Sequence, residues 1–153
     1  MIYFVIMLTL NQFYALDCDA VEESGALPLA SSSISAGFPS PAEDHMEDRL
    51  NLNQYLVKNP IATFFFRVAG ESMIDAGLHD GDLLIVDRSL IAQSHSIVIA
   101  VLNGDMVVKY FIHQKDDVIL RPANAKYQDY IVTDKDDFSI WGVVTYVIHA
   151  LRR

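Results

Sequence analysis

From residue 62 onward the chain alternates short apolar runs with clusters of turn formers. The runs are ATFFFRVA, DLLIVD, SIVIAVL, MVVKYFI, DVILR, DYIVT and FSIWGVVTYVIHAL. They are rich in β-branched and aromatic residues and too closely punctuated for amphipathic helices, so the pattern predicts a mainly β fold of curved, antiparallel sheets. Two of the runs flank Asn103-Gly104, the pair that a two-residue type I′ hairpin needs because both central positions take positive φ. Counting outward from that turn sets Leu102 opposite Asp105 and Val98 opposite Lys109, and the period of two puts Lys109 on the face of Val107 and Phe111. Gly142, inside the last run, predicts a bulge or bend. Ahead of the β region, Leu52, Tyr55 and Leu56 fall at i, i+3 and i+4. One short helix is predicted over residues 51–58, stopped by Asn59-Pro60.

The N-terminal part has a different pattern. MIYFVIMLTL is apolar, but the run is broken by Asn11 and Gln12, too short to cross a bilayer, and no Lys or Arg precedes Arg49 to form the basic flank of a signal peptide. It is expected to be an arm whose apolar side chains pack on the body of this or another subunit. Residues 17–41, DCDAVEESGALPLASSSISAGFPSP, carry small residues, serines and prolines without apolar period, and so predict a linker. The expected organisation is a flexible arm and tether over residues 1–36 and a β domain over residues 37–153.

Composition narrows the function. A chain of 153 residues with 52% hydrophobic content can bury one compact core. A formal charge of -9 disfavours the phosphate-neutralising surface on which nucleic-acid affinity rests, so no direct nucleic-acid binding is expected and any role on DNA runs through a partner. Cys18 is the only cysteine, which excludes an internal disulfide and a thiolate metal cluster and fits the cytoplasm. The histidines at 45, 79, 95, 113 and 149 form no zinc-protease motif. Asp75, Asp80, Asp82 and Asp87 do not follow the calcium-loop pattern and sit among turn formers, so they are expected to build turns. No metal or cofactor is expected. Trp141 and the Phe64–Phe66 run are expected in the core, with one face of that run directed away from it.

The candidate chemistry lies in VAGESMIDAGLHDGDLLIVD, residues 68–87, where Ser72 stands between an apolar strand and an acidic, glycine-rich turn. Taken alone, Ser72 fits a helix N-cap. The same geometry also sets a serine beside backbone N–H groups that no helix satisfies, which can hold the oxyanion of an acyl-transfer transition state. A serine nucleophile needs a base, and a neutral lysine can serve as one. Bringing an amine from its ordinary pKa of about 10.4 towards neutrality costs about 4 kcal/mol, which burial between Val107 and Phe111 would supply for Lys109. An isolated lysine on such a face otherwise extends its stem to water.

Gly70-Glu71-Ser72-Met73, then DGDLLIVD, then VVK, with Lys109 lying 37 residues beyond Ser72, resemble the LexA/UmuD family of self-cleaving Ser/Lys peptidases. AGFPSPAEDHMEDRLNLNQYL and the end of the chain from Trp141 to Ile148 are similar to the UmuD branch and its plasmid-borne relatives. The resemblance covers residues 36 to about 150 and implies the LexA-like C-terminal peptidase fold. It implies Ser72 as nucleophile, Lys109 as base, and Ala36-Gly37 as the scissile pair. It further implies cleavage stimulated by a RecA filament on single-stranded DNA. The cleaved homodimer would then serve a UmuC-like, error-prone Y-family DNA polymerase in translesion synthesis during the SOS response. Repressors of the family carry a helix-turn-helix domain before the cut, and with 36 residues without a basic side chain there a repressor is not expected. Two departures stand out: SHSIVIA, where the family usually has Gly-Asp before the strand, and Tyr110, where a basic residue commonly follows the lysine. Two other classes fit parts of the pattern. A membrane-bound signal peptidase also uses Ser and Lys but needs an anchor, and a non-cleaving polymerase interaction subunit would keep the two residues apart.

Overall fold

The computed structural model describes residues 25–30 and 46–151. They fall into two compact units, one of residues 25–30 and 46–58 and the other of residues 59–151. The apolar arm, Cys18 and the Ala36-Gly37 pair lie outside the described residues.

In the first unit, β1 (Ala26–Ala30) pairs antiparallel with β2 (Met46–Asn51), and the Arg49 guanidinium donates to the Ala26 carbonyl at 2.8 and 3.1 Å. This strand corrects the linker expected over residues 17–41. ALPLA holds a proline, which cannot donate to a ladder, and its partner MEDRLN is mostly polar, so neither carries the apolar alternation by which a half-buried strand is recognised. The predicted helix is α1 (Leu52–Leu56), where the Asn51 carboxamide oxygen accepts from the amides of Asn53 and Gln54.

In the second unit, Pro60 opens a 3-10 turn (Pro60–Ala62) that leads into a seven-stranded antiparallel sheet. Its strands are β3 (Thr63–Arg67), β4 (Leu83–Asp87), β5 (Ile97–Leu102), β6 (Asp105–Gln114), β7 (Asp117–Arg121), β8 (Tyr130–Val132) and β9 (Phe138–Ile148), in the order β3-β4-β9-β5-β6-β7-β8. The mainly β, antiparallel fold class is borne out, and each of the seven apolar runs forms a strand. The β5–β6 hairpin turns on Asn103 (φ 52°) and Gly104 (φ 90°), with Leu102 opposite Asp105 and Val98 opposite Lys109 as the turn chemistry requires.

The long β9 joins the two halves of the sheet by pairing with β4 on one side and β5 on the other. Its register slips by one residue at Trp141 against β5 and at Thr145 against β4. Gly142 sits beside the first slip, and a Cβ there would lie 2.8 Å from Val86 Cγ1 and 3.2 Å from the Asp87 carbonyl oxygen. Close approach of β4 therefore needs glycine at this point. Alternate residues of β5 feed two apolar clusters: Ile99 packs with Val68, Met73, Leu84 and Val86, while Val98 and Ala100 pack with Phe111 and Leu120. Phe64 and Phe66 meet Trp141 edge to face, with ring centroids 5.0 and 4.8 Å away, and the Arg88 guanidinium lies 4.5 Å above the indole. Among the described residues no helix is long and apolar enough to cross a membrane.

Candidate active site

Ser72 lies in the connection between β3 and β4. The neck of this loop is closed by the Val68 amide on the Asp82 carbonyl and the Gly81 amide on the Val68 carbonyl, both at 2.9 Å. Gly70 takes φ +88°, which only glycine adopts without strain, and its amide donates to the Asp80 carboxylate at 2.8 Å. Met73 is buried in the core and anchors the loop beside the serine. On the far side, the Ala123 amide donates to the Ser72 carbonyl, the Asp75 amide to the Ala123 carbonyl, and the Asn124 side-chain amide to the Glu71 carbonyl, each at 2.8 Å. The backbone around Ser72 is thus held from two directions.

The hydroxyl does not cap a helix. The 3-10 turn Ile74–Ala76 begins after Met73 and has no side-chain cap. Ser72 Oγ instead accepts a hydrogen bond from Lys109 Nζ at 2.7 Å, and the same amine donates to the Val108 carbonyl at 2.9 Å. Burial pushes the Lys109 amine below the ordinary lysine range. The two side chains stand at a cleft of about 250 Å³ with apolar walls that include Phe66, Leu84, Ile99, Met106 and Val107. Val107 flanks the amine as the alternation predicts. Phe111 does not line the cleft and packs in the second cluster with Leu120.

This arrangement has a definite chemistry. A deprotonated Lys109 amine, with one N–H held by the Val108 carbonyl, presents its lone pair to the serine hydroxyl and can take its proton. Among the described residues the Ser72 amide has no protein acceptor, so it is available to a developing oxyanion.

The Peptidase S24-like family matches residues 28–145. The chain belongs to this family. Among proteins similar to this chain, protein MucA of Salmonella typhimurium is 42% identical over 134 residues, covering 84% of this chain and 91% of MucA. Protein ImpA of the same organism is 42% identical over 139 residues, 86% of this chain and 89% of ImpA. The LexA repressor of Sorangium cellulosum is 41% identical over 120 residues, 77% of this chain and 52% of the repressor. The resemblance to the LexA/UmuD family, and to its UmuD-type branch, is borne out.

Other expected residues fall where the turn chemistry put them. Asp80 binds the Gly70 amide, Asp82 the His79 amide, and Asp87 the amide and hydroxyl of Ser89. In SHSIVIA, His95 takes φ 75° at the position where the resemblance implies glycine, and Ser96 Oγ accepts from the Gln93 amide. The turn survives the departure, with a non-glycine residue in the left-handed region. Ala123 and Asn124, which hold the Ser72 loop, carry no signal in the sequence because their contribution is largely backbone and they lie about 50 residues away.

The half-buried amine carries a cost that a variant can expose. Lys109→Met shortens the side chain by one atom and removes the charge, so its melting temperature is expected to rise by about 1–2 °C at neutral pH. A calorimetric scan of the two chains checks this, and an unchanged or lower value for the variant would mean that Lys109 is not disfavoured by burial.

Proposed function

We propose that this chain is a self-cleaving serine peptidase in which Ser72 is the nucleophile and Lys109 the general base, acting on its own Ala36-Gly37 bond. The observation that carries this reading is the 2.7 Å contact between Lys109 Nζ and Ser72 Oγ, made by an amine whose charged form is disfavoured. Ser72 Oγ attacks the Ala36 carbonyl carbon as Lys109 takes the hydroxyl proton. The Ser72 amide stabilises the oxyanion. The protonated amine then gives its proton to the departing Gly37 nitrogen, leaving an ester between Ser72 and residue 36. A water, deprotonated by the same amine, hydrolyses the ester and restores the free serine.

Membership of the S24-like family and the likeness to MucA and ImpA support a place in SOS mutagenesis. Within that role, cleavage is stimulated in the cytoplasm by a RecA filament on single-stranded DNA. The product, residues 37–153, forms a homodimer that serves as accessory subunit of a UmuC-like, error-prone Y-family polymerase. No nucleic acid is bound directly and no membrane is involved. The arm and tether over residues 1–36 are the substrate segment, and residues 37–153 the β domain that cuts it.

The test is incubation of the full chain with RecA, ATP and single-stranded DNA, followed by intact mass measurement. Two new species are expected, residues 1–36 and a fragment running from Gly37 to Arg153. Glycine lets the backbone enter a narrow cleft, so Gly37→Trp is expected to slow processing by at least about tenfold. Equal rates for Gly37→Trp and wild type would show that another bond is cut.

A further inference from the structure

We propose that His79, Asp82 and His149 form a binding site for one Zn²⁺ ion per chain, at the end of the β4–β9 pair and separate from the Ser72 cleft. One ligand atom from each residue lies within 4.8 Å of the others. His149 Nδ1 is 2.7 Å from Asp82 Oδ1, His79 Nδ1 is 3.6 Å from Asp82 Oδ2, and the two ring centroids are 4.7 Å apart. A tetrahedral zinc ion with bonds of about 2.0–2.1 Å needs ligand atoms roughly 3.3 Å apart, so the set closes around an ion by modest rotation of the imidazoles.

The fixed member of the set is the aspartate. Its side chain is 2% exposed, whereas those of His79 and His149 are 41% and 35% exposed and have room to turn. Asp82 Oδ2 accepts the His79 amide at 2.8 Å, which orients the carboxylate. A carboxylate oxygen is thus held in place beside two imidazoles.

A hydrogen-bonded Asp82–His149 pair accounts for one histidine and leaves the other unexplained. His79 Nδ1 is a buried nitrogen with no hydrogen-bond partner, which is unfavourable unless something supplies one. A cation bridging the three side chains does so. Two imidazole nitrogens and one carboxylate oxygen suit zinc, whereas calcium and magnesium take oxygen-rich sets. The exposed edges of both rings give the ion a route in and leave a fourth position for water. None of the three residues lines the Ser72 cleft, so this proposal and the cleavage chemistry stand or fall separately.

The test is titration of the chelator-treated full chain with zinc chloride in a calorimeter, alongside thermal unfolding with and without zinc. Binding of one ion per chain and a melting temperature raised by zinc and lowered again by EDTA are expected. His79→Ala and His149→Ala should each weaken binding by at least tenfold, and His113→Ala should leave it unchanged. Co²⁺ in place of zinc should give the intense visible absorption of a four-coordinate ion in the wild type and lose it in both variants. No heat and no thermal shift in the wild type would overturn the proposal. So would undiminished affinity in the His79→Ala/His149→Ala double variant, which would put the ion on other side chains.

Discussion

Ser72→Ala, Lys109→Ala and Lys109→Arg should each leave a folded, full-length chain under conditions in which RecA filaments convert the wild type, with a loss in rate of at least about 10³-fold. The first removes the oxygen that attacks, and the second removes the group 2.7 Å from it that takes its proton. Arginine at 109 is the more telling change. It keeps the charge on a side chain one atom longer, but a guanidinium holds its proton under any workable condition and has no lone pair to offer Ser72. The three variants and the wild type are compared by densitometry of full-length and shortened chain, with circular dichroism to establish that each is folded. Cleavage by Lys109→Arg at near wild-type rate would assign the base to another group.

The rate of cleavage without RecA should climb about tenfold for each pH unit and then level off, because only the deprotonated amine of Lys109 accepts the serine proton. Burial lowers the pKa of this amine, so the plateau should begin below the ordinary lysine value of about 10.4. A histidine base would level off near about 6.5. The same shift bears on stability in a fixed direction. With a folded-state pKa below the unfolded one, the unfolded chain binds more protons in the window between them, so the contribution of Lys109 to stability grows as pH rises through that window. Loss of folding through this group is therefore not expected on the alkaline limb. A profile from about pH 6 to 11, with circular dichroism at each point, checks both statements. A rate that is flat, or that saturates by about pH 7, would remove Lys109 from the base role.

The β domain was legible because its strands announce themselves by composition and its tightest turn by two residues. Asn103-Gly104 dictate the hairpin, and the hairpin alone sets Lys109 opposite Val98. What local pattern does not contain is the meeting of Lys109 with Ser72. Their proximity follows from the place of β6 beside β5 and from the hold of Ala123 and Asn124 on the serine loop, and it was anticipated only through resemblance to a family. Ser72 by itself looks like a cap, since cap and nucleophile ask for similar backbone, and only the start of the 3-10 turn at Ile74 separates the two. β1 was hidden by Pro28 and by a partner strand without alternation. The pairing of Asp82 with His149 was hidden by 67 residues of intervening chain.

The most direct test of a peptidase built into this chain is the intact mass of the purified wild-type protein after incubation alone at about pH 10, where no other protein supplies the chemistry. Two fragments are expected, residues 1–36 and residues 37–153, whose masses sum to that of the parent chain plus one water. An unchanged full-length mass in a chain that remains folded, or the same fragments from Ser72→Ala, would contradict the account.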